Sequence, residues 1–144
     1  MAMTTVRQLI QIKGNDVWSV GPDDNVFDAL RLMSEKNIGA CLVMENDRLV
    51  GIMSERDYAR KVILFGKTSK ETYVREIMSS KVVTIHPDQT MEECMEIMTK
   101  YHIRHLPVVA DAKVEGIISI GDVVRDIIYQ QRKTIKEMEK YVTG

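Results

Sequence analysis

Two aspartates in this chain stand three residues after a serine, in Ser54-Glu55-Arg56-Asp57 and again in Ser119-Ile120-Gly121-Asp122. An ionised carboxylate only accepts hydrogen bonds, while a serine hydroxyl both donates and accepts. Together they suit a ligand that presents paired hydroxyls, such as a ribose. The same spacing is also a helix capping box, in which the serine and the acidic side chain each satisfy a backbone N–H of the other. The spacing leaves both roles open. Arg56 adds a cation suited to phosphate at the start of a helix, whereas its counterpart Gly121 offers only backbone.

Other reactive residue types form no set. His102 and His105 have helical spacing, but no acidic or cysteine residue is placed to complete a metal site, so no metal is expected. Cys41 and Cys94 show neither metal nor redox spacing and lie in apolar surroundings, which reads as reduced core thiols of a cytoplasmic protein. No nucleophile–base–orienter arrangement is visible, and the chain is read as a non-enzyme. The net charge of −1 argues against nucleic acid as a partner. The C-terminal lysines alternate with Glu137 and Glu139 as on a solvated helix face. The apolar runs are too short to span a membrane, and the N-terminus lacks the basic and apolar regions of a secretion signal.

The elements that must position the two aspartates are themselves duplicated. Residues 17–63 align with residues 82–128 without a gap, so that Pro22 faces Pro87, Asp23 faces Asp88, Met33 faces Met98 and Gly51 faces Gly116. The lead-ins "TVRQLI" and "YVREIM" also match, and Lys13 matches Lys81 if "GND" at 14–16 is an insertion. Each copy opens on a short extended segment, 17–20 or 82–85, that ends at a Pro-Asp turn. Asn25 and Thr90 follow as N-caps, with Asp28 and Glu93 at the capping-box position. Val26, Ala29, Leu30 and Met33, and then Met91, Cys94, Met95 and Met98, each draw one apolar stripe of a three-turn helix. Strands are expected near 40–45 and 49–54, and near 105–110 and 113–119, with turns at Asn46-Asp47 and Asp111-Ala112. A second helix follows each Ser-x-x-Asp. The fold class is α/β: two β-α-β-β-α repeats, each too small to bury much core alone, packed sheet to sheet about a pseudo-two-fold axis. The expected organisation is a first repeat with its lead-in at 1–66, a linker and second lead-in at 67–81, a second repeat at 82–129 and a helical extension at 130–144. Ile128, Ile135, Met138 and Val142 form an apolar stripe on that extension, suited either to folding back or to contacting another subunit.

The duplicated "G-I-x-S-x-x-D", with "VVTIHPD" at 82–88 and "IRHLPVV" at 103–109, resembles the tandem cystathionine-β-synthase (CBS) domain pair, over nearly the whole chain. The resemblance implies a stand-alone regulatory module that binds an adenosine-containing ligand (AMP, ATP or NAD(H)) in clefts between the repeats, forms a homodimer and modulates a partner protein. It assigns to the better-equipped cleft Ser54, Arg56 and Asp57, the segment Lys81, Val82, Val83 and Thr84, and the strand Arg104, His105, Leu106 and Pro107. The aspartate would accept from the ribose hydroxyls, and Pro107, which lacks an N–H, would leave an apolar wall for the base. The second cleft would use Ile12, Lys13 and Asp16, then Gly39, Ala40 and Cys41, then Ser119, Gly121 and Asp122. Here the chain departs from the family pattern, with Leu42 in place of the proline, so the two clefts are not expected to be equivalent. The alternative is a structural or protein-interaction module whose cleft is vestigial.

Overall fold

The computed structural model describes residues 4–143. The elements run α1 (Val6–Lys13), β1 (Ser19–Val20), α2 (Val26–Lys36), β2 (Ala40–Glu45), β3 (Arg48–Ser54), α3 (Glu55–Tyr58), α4 (Val74–Ile77), α5 (Met91–Tyr101), β4 (His105–Ala110), β5 (Lys113–Ser119) and α6 (Ile120–Thr143). The class is α/β, with a β1-β2-β3 sheet and a β4-β5 sheet. Two compact units emerge. One joins Asp16–Val83 with Asp111–Val114; the other joins the chain up to Asn15 with Thr84–Ala110 and the chain from Glu115 onward. We call them the Asp57 unit and the Asp122 unit.

In the Asp57 unit, β1 runs parallel to β2, and β2 runs antiparallel to β3, with Ala40 opposite Ser54. The Asn25 side chain accepts from the Asp28 N–H and so starts α2, whose face carrying Val26, Ala29 and Met33 is buried. These residues join Cys41, Val43, Met53, Val62, Val74 and Ile77 in one apolar core. Each large side chain removed from water there contributes about 1.5–3 kcal/mol. The lead-in bearing α4 docks on the Pro-Asp turn: the Val74 N–H donates to Asp24 O at 2.8 Å and the Arg75 N–H to Pro22 O at 2.9 Å.

The Asp122 unit repeats this with the other lead-in. The Val6 N–H donates to Gln89 O at 2.8 Å, the Arg7 N–H to Pro87 O at 2.9 Å, and Arg7 pairs with Asp88 as Arg75 pairs with Asp23. Each lead-in thus serves the Pro-Asp turn of the copy it does not directly precede: residues 4–7 serve the second copy and residues 72–75 the first. Ile85 bridges Val108 in parallel, as Val20 pairs with Val43.

The strands after each first helix fall where the alternation places them. The extended segment expected over 82–85 contracts to the single bridge at Ile85, because Val82, Val83 and Thr84 find no backbone partner among the described residues. The turns at Asn46-Asp47 and Asp111-Ala112 have φ of 51° and 61°, and of 51° and 62°. Two left-handed residues match the right-handed twist of the flanking strands. The helix after Ser54 is short. Four α-helical residues give way to a π-helical turn at Ala59–Ile63. The helix after Ser119 instead runs 24 residues without a break at 130. Ile128, Ile135, Met138 and Val142 on it are exposed, so this stripe is not folded back onto the chain.

Candidate functional site

Each Ser-x-x-Asp sits where a strand becomes a helix. Ser54 ends β3 with extended backbone, and its hydroxyl accepts from the Asp57 N–H at 3.2 Å. The Ser54 N–H and Oγ–H both donate to Asp57 Oδ2, at 2.9 and 3.1 Å. The second copy repeats the box: the Asp122 N–H donates to Ser119 Oγ at 3.2 Å and the Ser119 N–H to Asp122 Oδ2 at 2.9 Å. The helix start is tied to the neighbouring strand in both copies, through Glu55 N–H to Gly39 O and Ile120 N–H to Arg104 O. The capping role is therefore realised twice, and in both boxes the reciprocal bond uses Oδ2 alone.

The remaining oxygens have different surroundings. Asp57 Oδ1 has Lys61 Nζ at 3.4 Å, and that ammonium donates to Ile77 O at 2.9 Å. Asp122 Oδ1 accepts from Arg125 Nη2 at 2.8 Å. Its Oδ2 also accepts from Lys13 Nζ at 2.5 Å, and Lys13 donates further to Ile117 O at 2.7 Å. The Asp122 side chain is 10% exposed and that of Asp57 19%. Burial pushes the Asp122 carboxyl up, but the Lys13 and Ser119 hydrogen bonds and the Lys13 charge outweigh it and hold it below its ordinary value. Burial lowers the nearby His105, and the charges of Lys13 and Arg104 lower it further against the opposing pull of Asp122. His105 is thus a neutral donor or acceptor at pH 7.

The other expected residues divide by unit. In the Asp57 unit, Arg56 and Lys81 are exposed and form no ion pair among the described residues, and Val82 and Val83 are half-buried. Asp16 is exposed, Gly39 half-buried, and Ala40 and Cys41 buried. In the Asp122 unit, Thr84 and Arg104 are exposed, His105 is half-buried, Leu106 and Pro107 are buried, Ile12 is exposed and Gly121 is half-buried. The Pro107 carbonyl is spent on the Ile85 N–H. Among the described residues the backbone groups of Val82 and Val83 have no backbone partner. Arg56 lies in the first turn of a helix whose start is already capped by Ser54 and Asp57. His102 proves to be the left-handed C-cap of α5, with its N–H on Met98 O. Burial raises both thiols, Cys41 and Cys94, to about 11, which keeps them protonated and unreactive at neutral pH.

Sequence reasoning missed Lys61 and Arg125 as partners of the two aspartates. Their i,i+4 and i,i+3 spacing on the following helix was the signal. Among the described residues no three His, Cys, Asp or Glu side chains gather to hold a metal ion, and no helix is long and apolar enough to cross a membrane.

Comparison with known proteins agrees with the duplication. A family model for the CBS domain matches residues 6–63 and again 74–129. The mitochondrial CBS domain-containing protein CBSX3 of Arabidopsis thaliana is 37% identical over 151 residues, covering 98% of this chain and 73% of that protein. The crystal structure of a CBS domain, NE2398, is 49% identical with a TM-score of 0.85, covering 88% of this chain and 99% of its own. The CBS domain pair of protein MJ0100, solved in complex with 5′-methylthioadenosine and S-adenosyl-L-methionine, is 25% identical with a TM-score of 0.80, covering 90% and 99%.

Proposed function

Because this chain belongs to the CBS-domain family, we propose that it is a regulatory module that binds an adenine nucleotide, AMP, ATP or NAD(H), and signals its occupancy to a partner protein. The observation that carries this reading is the duplicated Ser-x-x-Asp box, in which the cap uses only Oδ2 of each carboxylate. Oδ1 of Asp57 then remains as a charged acceptor for ribose hydroxyls, with Lys61 no nearer than 3.4 Å. Arg56, exposed and without an ion pair among the described residues, is assigned to phosphate, and the backbone of Val82 and Val83 to the base. The adenosine-containing ligands of the MJ0100 pair support the ligand class. Occupancy acts on a partner only if the ligand binds one arrangement of the module more tightly than another. The reading includes a homodimer, for which the exposed stripe Val124, Ile128, Ile135, Met138 and Val142 of α6 offers a self-complementary seam. It also includes a reducing compartment such as the cytoplasm, which suits two buried free thiols.

Calorimetric titration with AMP, ADP, ATP, NAD(H) and S-adenosylmethionine tests the proposal, and silence from all five refutes it. Asp57→Asn keeps an oxygen for the cap and removes the charge. It is expected to weaken binding roughly ten- to a hundredfold, the worth of a charge-assisted hydrogen bond, with thermal stability little changed. An unchanged affinity would remove Asp57 from the site.

A further inference from the structure

The two duplicated carboxylates are not equally available, and one lysine accounts for the difference. Asp122 has donors on both oxygens: Oδ2 takes the Ser119 N–H and the Lys13 ammonium, and Oδ1 takes Arg125. Asp57 has its own cap on Oδ2 and, on Oδ1, only a looser ion pair with Lys61 at 3.4 Å. Arg125 is 73% exposed, so solvent screens its pairing. Lys13 is 33% exposed and is held by two acceptors at once, Asp122 and the Ile117 carbonyl.

The other copy is an internal control. Lys81 is the counterpart of Lys13, and both residues are exposed, yet Lys81 makes no ion pair with Asp57. The cause lies in the lead-ins. Helix α1 has eight residues and carries Lys13 in its last turn, where Gly14, at φ 99°, ends it with its N–H on Ile10 O at 2.7 Å. Helix α4 has only four residues. Met78 is already extended, and Ser79 turns to bridge Ile52, so the chain carries Lys81 away from the helix axis. The inserted Gly14-Asn15-Asp16 gives the first lead-in the length to complete its helix before the chain moves on.

We propose that Lys13 is a built-in competitor for the ribose position at Asp122, so that the chain carries one open acceptor, Asp57, and one that ligand reaches only by displacing Lys13. This rests on the nucleotide-binding reading above. A ribose that bonds Asp122 must replace an ammonium that gives up two hydrogen bonds, and affinity there is lowered by the fraction of molecules in which Lys13 is bound. The lock ties nucleotide occupancy of Asp122 to the position of the N-terminal helix, because release of Lys13 frees the C-terminal end of α1.

The test uses adenosine, which carries the vicinal hydroxyls and no phosphate that would itself attract Lys13. Calorimetry on the full chain compares Asp57→Asn with Asp57→Asn combined with Lys13→Met, Lys13→Gln or Lys13→Arg, each first checked for unchanged helix content by circular dichroism. The Met and Gln variants are expected to bind adenosine roughly tenfold or more tightly than Asp57→Asn alone. The gain should vanish with 2′,3′-dideoxyadenosine, and Arg, which restores the cation, should return the affinity to its starting value. A gain that persists with the dideoxy compound, or no gain in folded Met and Gln variants, overturns the lock and leaves Lys13 as an anchor for α1. The two readings fail differently. If the unmodified chain binds no adenosine-containing ligand and the Lys13 variants bind none, nucleotide binding itself is refuted and the lock with it. If the unmodified chain binds and the Met and Gln variants only match Asp57→Asn, the lock alone is refuted.

Discussion

At the scale of residues, Asp122 shows how a cap and a charge site share one side chain. A carboxylate buried to this degree is costly unless donors surround it, and Ser119, Lys13 and Arg125 provide them. Its carboxyl is held below its ordinary value, so the unfolded chain binds the proton more readily than the folded one. Asp122 therefore contributes stability that is full above the ordinary carboxylate range and is lost as pH falls through the lowered folded value. His105 acts in the same direction: buried and neutral, it contributes stability above its ordinary value of 6.5 that is lost as pH falls toward its lowered folded value. Urea unfolding across pH 3 to 8 should show stability falling from the histidine range downward, and His105→Gln should flatten the upper part of that fall. A fall of unchanged slope in His105→Gln would mean that His105 does not titrate with folding. The serine and aspartate were legible in the sequence because a capping box is a local spacing. The Lys13–Asp122 ion pair was not, since 109 residues separate them, and the resemblance grouped the two only as residues of one cleft.

At the scale of elements, the duplicated glycines test how alike the copies are. A Cβ on Gly51 would stand 2.5 Å from Met78 Sδ and 3.0 Å from the Ser79 carbonyl oxygen, which is backbone held in a bridge to Ile52. A Cβ on Gly116 would meet only the flexible end of Ile10, at 3.0 Å. Gly51→Ala is thus expected to cost about 1–3 kcal/mol through overpacking, and Gly116→Ala less than about 1 kcal/mol. Denaturant midpoints at unchanged slope measure both, and equal losses would refute the asymmetry. The strand and helix positions of the two copies follow from periods of 2.0 and 3.6 residues, which are written locally. The shortening of α3 into a π-helical turn is not written that way. "ERDYARKVI" and "IGDVVRDII" both read as amphipathic helices, yet the first ends in a π-helical turn at Ile63 and the second continues to Thr143.

At the scale of the whole molecule, each compact unit takes its lead-in from across a repeat boundary. Val74 and Ile77 belong to the core built around α2, β2 and β3, and Val6 is buried in the unit of α5 and β4. A fragment cut at the repeat boundary, 1–66, lacks Val74 and Ile77 and leaves the Asp24 and Pro22 carbonyls without partners. A fragment spanning 16–83 retains both. Far-ultraviolet circular dichroism with thermal melting is expected to show a cooperative transition for 16–83 and none for 1–66. The reverse order would show that the lead-in is dispensable to the core.

The amino-acid sequence by itself determined the duplication, the α/β class, the N-caps at Asn25 and Thr90 and the two Ser-x-x-Asp boxes. Each of these is set by spacings within one or two turns or by a match between two copies, and neither depends on where the chain goes next. The tertiary structure decided which lead-in serves which copy, and which of two equivalent lysines reaches a carboxylate. Those outcomes turn on helix length and on contacts between segments far apart in the chain. The energy of such a contact exists only once both ends are held, so Lys13 and Lys81, matched in sequence, came to differ in the fold.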